Sequence, residues 1–183
     1  MKIFVKPRES LTKGCIRRKN KSTSRNRKVH NFTSASSVGL FFDTIDTESF
    51  QKIRDFSKQL MNLGLKTEIL GYVNTDDIPS EMVLWDKCHV LNNKDIDWLF
   101  KPNNEYVNEF IKKEFDILLD LSLVNSVPSN YIVNLSKARF KVGRYQETGN
   151  DLDFMINIEQ DNTVGFLIEQ INNYVSMLNS SDK

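Results

Sequence analysis

Between residues 37 and 178 the chain alternates between short apolar runs of strand length and longer segments whose apolar residues recur at helical spacing. Few folds satisfy that pattern. Successive βαβ units lay strands parallel, helices cover both faces of the sheet, and right-handed crossovers limit the strand orders. Val38, Gly39, Leu40, Phe41 and Phe42 open the pattern as a continuous apolar run, as expected of a strand buried on both faces. Asp46 or Thr47 can cap the helix that follows, which places Phe50, Ile53, Phe56, Leu60 and Leu63 on one side. Gly64 supplies its stop.

The alternation continues to the end of the chain. Residues 66–73 read as a strand, 74–79 as a polar turn, and 88–91 as a third short strand, while 94–100 fits no element. A helix over 104–114 turns Tyr106, Val107, Phe110 and Ile111 inward, and 116–122 is a further strand. Pro128 opens a helix running to 137, a position where proline is tolerated. Strands at 140–144 and 153–158 precede a last helix over 163–178. The expected fold is therefore α/β: one three-layer Rossmann-like or flavodoxin-like domain over 37–178. Its open sheet is mostly parallel, with about five to six strands, the first and fourth adjacent at the centre. Residues 179–183 form a short C-terminal tail.

The net charge of +1 conceals a division. Residues 1–37 hold 11 Lys or Arg against the single acid Glu9, whereas residues 38–183 hold 14 Lys or Arg against 23 Asp or Glu. Residues 10–37 have too few apolar side chains to offset the entropy of ordering them, which predicts a disordered basic tail over 1–36. Arg17, Arg18, Lys19, Lys21, Arg25, Arg27 and Lys28 lie within 12 residues of it. Such side chains displace counterions from phosphate backbones, and Arg-rich disordered segments often fold on irregular RNA. The composition thus points to a non-enzymatic binding protein. Its tail would engage RNA or a ribonucleoprotein such as the ribosome, and its domain would hold a protein partner. Other uses of the same charges are solubility, attraction to anionic lipid, or docking on the chain's own acidic domain. The alternative function is a small ligand-binding or enzymatic Rossmann-like domain acting on a nucleotide or sugar phosphate.

Motifs for specific chemistry are missing. The first strand leads into Asp43-Thr44-Ile45-Asp46 rather than a glycine-rich phosphate loop, and neither G-x-S-x-G nor H-E-x-x-H occurs. Cys15, Cys88, His30 and His89 are too scattered for a metal site or a disulfide framework. No catalytic residue, cofactor or metal is expected. Position alone supplies candidates, because ligands of open α/β sheets gather at the carboxyl ends of strands where the winding reverses. Asp43, Asp120, Ser122 and Arg144 lie there. Asp43 and Asp120 could share a proton or a Mg²⁺ ion, or simply bond to nearby loops. Arg144 and Lys141 could hold an anion or form the solvated end of an edge strand. Trp85 and Trp98 could wall a ligand or cover the core. No run approaches the ~20 apolar residues of a membrane span, and no signal-peptide core follows Met1. The Ser- and Arg-rich start has a transit-peptide composition but lacks an amphipathic stripe, so a cytoplasmic location is expected.

The run from Phe115 to Ser122 and the run from Tyr131 to Arg144 resemble an uncharacterised family of small bacterial α/β proteins. Residues 37–43, 70–74 and 168–171 share the resemblance, which implies a domain type and no mechanism. More distantly, the same runs are similar to one half of the heptosyltransferase-like glycosyltransferases. Those enzymes need a second domain to hold a nucleotide sugar, and this chain has no room for one.

Overall fold

The computed structural model describes residues 5–22, 24–43, 46–147 and 150–178. Six strands form one sheet: β1 (Ser37–Asp43), β2 (Lys66–Tyr72), β3 (Cys88–Leu91), β4 (Ile117–Asp120), β5 (Phe140–Arg144) and β6 (Phe154–Ile156). Their order is β3-β2-β1-β4-β5-β6, and all five pairings are parallel. The helices are α1 (Val5–Ser22), α2 (Thr47–Asn62), the single turn α3 (Ser80–Val83), α4 (Glu105–Lys112), α5 (Val127–Leu135) and α6 (Val164–Met177). The result is the expected three-layer α/β domain with β1 beside β4.

Each face of the sheet packs its own core. On one face, Val38, Leu40, Phe42, Ile69, Leu119 and Val142 meet Ile53 and Phe56 of α2 and Leu167 and Ile171 of α6. Phe42 and Phe50 meet edge to face at 5.9 Å, and Phe50 and Trp85 do so at 5.6 Å. Trp85 therefore covers the core, as one of its two sequence readings had it. Gly71 makes room for the Phe42 ring: a Cβ there would lie 2.2 Å from it. The second face is smaller, with Phe41, Leu70 and Leu118 packed on Val107 and Phe110 of α4 and Ile132 and Val133 of α5. Local signals set the ends of the elements. Asp46 caps α2 by accepting the Ser49 N–H at 2.7 Å, and Gly64, at φ +84°, turns the chain away after it.

The N-terminal segment departs from the disordered arm predicted above. Residues 5–22 are helical, and α1 packs against α5. Ile16 and Thr12 are buried, and the Thr12 hydroxyl donates to the Leu99 carbonyl at 2.6 Å. Arg8 lies over the Phe100 ring at 4.7 Å. Beyond α1, the Lys28 N–H donates to the Arg139 carbonyl at 3.1 Å, and Phe32 enters the larger core. Local composition could not show this, because the partners lie about a hundred residues away and complete a burial that the segment cannot achieve alone. No described helix is long and apolar enough to cross a membrane.

Candidate ligand-binding site

The chain winds outward in opposite directions from β1 and β4, which opens a crevice over their carboxyl ends. A cavity of about 550 Å³ occupies it, a size typical of small-molecule sites. Asp43, Tyr72 and Asn74 lie at its base, where β1 and β2 end. The connection after β3 supplies Asn93 and Asp97, the loop before α5 supplies Asn125 and Ser126, and α1 closes it with Glu9 and Lys13.

Asp43 organises this base. It is fully buried, and its Oδ2 accepts the hydroxyls of Ser126 and Ser129. Ser126 is also the N-cap of α5, accepting the Ser129 N–H at 3.2 Å. The chain's own carboxylate thus fills the position at the start of α5 that would otherwise suit an external anion. Pro128 removes one N–H from the same turn.

Tyr72 pairs in register with Asp43. Burial, reinforced by the Asp43 carboxylate, pushes its phenol up to about 12. It therefore remains a neutral donor, and its hydroxyl donates to Asn93 Oδ1 at 2.9 Å. That bond fixes the Asn93 amide with Nδ2 left to donate. Three carboxylates and one lysine line the cavity, so its charge favours hydroxyl- or amine-bearing ligands over anions.

The remaining strand-end candidates lie to one side. Asp120 is buried at the end of β4 and accepts the Ser122 N–H at 3.1 Å. Burial raises its carboxyl to about 6, with Asp43 adding to the rise and Ser122 and Arg144 opposing it. Arg144 donates weakly to the Ser122 carbonyl, at 3.5 Å, and lines a separate recess of about 360 Å³ with Tyr145 and Glu159. Asp120 therefore senses the charge of Asp43, but only Asp43 lines the crevice cavity.

Lys141 is not the solvated end of an edge strand. β6 pairs outside β5, and Lys141 is completely buried, with Nζ donating to Asn134 O at 3.0 Å and Asp151 Oδ2 at 3.1 Å. Burial lowers its ammonium to about 8 against the pull of Asp151.

Of the basic residues of the N-terminal segment, Arg25 and Arg27 are turned onto the chain's own carboxylates. The Arg25 side chain is 5% exposed and grips Asp153 at 2.7 Å and the Ala138 carbonyl at 2.9 Å. Arg27 pairs with Asp151 at 2.7 Å. Lys19 lies 5.6 Å over the Tyr131 ring, Lys28 anchors through its backbone, and Arg17 and Arg18 are both exposed, Arg17 at a recess beside α5. The side chain of Lys21 is outside the described residues.

Of the residues that line this cavity, the strand-end argument points to Asp43 and not to its companions. The Ser-x-Pro start of α5 was a readable cap signal for Ser126. Tyr72 and Asn93 sit in ordinary strand and turn contexts, and Lys13 lay in a segment read as disordered.

Searches of curated proteins and of solved structures each gave no match, so the resemblance to heptosyltransferase-like enzymes has no counterpart there. A family model does match, over residues 8–178, and its span takes in most of α1 as well as the sheet. The chain belongs to that family, a family of unknown function designated DUF6913.

Proposed function

We propose that this protein binds a small, hydroxyl-rich molecule in the crevice over β1 and β4. The observation that carries the reading is the built polar base of the cavity. Buried Asp43 positions the Ser126 hydroxyl, backed by Ser129 beneath it, and Tyr72 holds the Asn93 amide beside a space of about 550 Å³. Ordering buried polar groups around an open space is costly unless something uses them. Binding of RNA through the basic segment lacks comparable support, since Arg25 and Arg27 are already committed to Asp151 and Asp153.

A thermal-shift screen of sugars, polyols and nucleosides, followed by calorimetry on any hit, tests the proposal. Asn93→Ala should weaken a hit at least tenfold while leaving the unliganded melting temperature within about 2 °C, a shift of at most about 1 kcal/mol. A hit that binds Asn93→Ala as tightly as the parent protein would place the site elsewhere.

A further inference from the structure

A second, smaller cavity adjoins the first and has the opposite charge. It measures about 310 Å³ and lies between α1 and α5. Lys13, Arg17 and Asn20 face it at helical spacing from α1, and Asn130 and Asn134 face it, one turn apart, from α5. Asn125 closes one end, and both Asn125 and Lys13 line the larger cavity as well. Among the described residues no carboxylate lines this pocket. Two cations among side-chain amides, in a recess continuous with a site for hydroxyl groups, form a complementary surface for a phosphate.

We infer that the ligand is a phosphorylated, hydroxyl-bearing small molecule. Its phosphate lies between α1 and α5 on Lys13 and Arg17, and its hydroxylated part lies over Asp43. This deepens the proposed function and rests on the larger cavity being the ligand site. The division also explains how a phosphate is held without a glycine-rich loop. The start of α5 is taken by Asp43, so the anion moves to the side of that helix, where α1 brings cations to it.

Matched pairs that differ by one phosphate provide the test: ribose and ribose 5-phosphate, glucose and glucose 6-phosphate, adenosine and AMP. Each is titrated into the full chain, into Arg17→Gln and into Arg18→Gln, an exposed neighbour on the same helix that does not line the pocket. In at least one pair the phosphorylated member should bind tenfold or more tightly. Arg17→Gln should remove that difference and leave the unphosphorylated partner within twofold, while Arg18→Gln should change neither. Equal affinities within every pair that binds, or equal losses in the two arginine variants, overturn the phosphate subsite and leave the larger cavity's reading intact. Asn93→Ala should weaken both members of a pair equally, and phosphate-dependent binding whose affinity Asn93→Ala leaves untouched overturns the larger cavity's part instead. Binding by no pair overturns both.

Discussion

The two faces of the sheet are built for different purposes. The face under α2 and α6 is a nearly continuous hydrocarbon core that gathers Phe42, Phe50, Phe56 and Trp85. The face under α4 and α5 has a smaller apolar cluster and takes the buried polar groups Asp43, Asp120 and Lys141, with Ser129 and Asn134 from α5. Parity along the strands divides them, because Asp43, Asp120 and Lys141 all follow the alternation opposite to Phe42, Leu119 and Val142. A large apolar face provides stability that a polar face can draw on. The crevice and α1 both lie on the side that carries the polar groups.

The largest expected effect tests the apolar face. Phe42→Ala removes a fully buried ring and should lower stability by about 4 kcal/mol in urea denaturation. It should leave ligand affinity of the folded fraction within twofold. A loss of binding beyond the unfolded fraction would erase the division between the faces.

Arg25→Ala comes next. It strips the buried partner from Asp151 and Asp153 beside Lys141, at an expected cost of about 3 kcal/mol. Burial pushes the Asp151 carboxyl up, but Lys141, Arg25 and Arg27 together outweigh it and hold it below its usual range. A change under about 0.5 kcal/mol would mean that the docked segment contributes charge and no stability.

The smallest effect concerns Asp120. The folded protein keeps this proton up to about pH 6, and the unfolded chain releases it near 3.8. Unfolding therefore releases a proton between those values, and stability falls as pH rises through them. A gap of that size sets an upper bound of roughly 3 kcal/mol, and relaxation around the site lowers the expected effect to about 2 kcal/mol. Asp120→Asn should gain on the parent protein from pH 4 to pH 6.5 and hold its advantage above that. A difference that is flat across this range would show that Asp120 is solvated.

These tests also separate what was legible in the residues from what was not. The βαβ alternation, the caps at Asp46 and Gly64, and the position of Asp43 could all be read, because each depends on neighbours within a few residues. The Lys141 pattern could not, since whether β5 is an edge depends on β6 pairing beyond it.

The sequence by itself determined the α/β class and the absence of a glycine-rich phosphate loop. These follow from short-range periodicity and from which side chains are small. Tertiary structure alone decided where the basic segment goes. Asp151 and Asp153 meet Arg25 only after β5 and β6 pair, and Lys13 and Arg17 reach α5 only after α1 docks. Charge attraction and burial act through space, so a composition that reads as a disordered arm becomes, once partners are brought to it, a helix against the crevice.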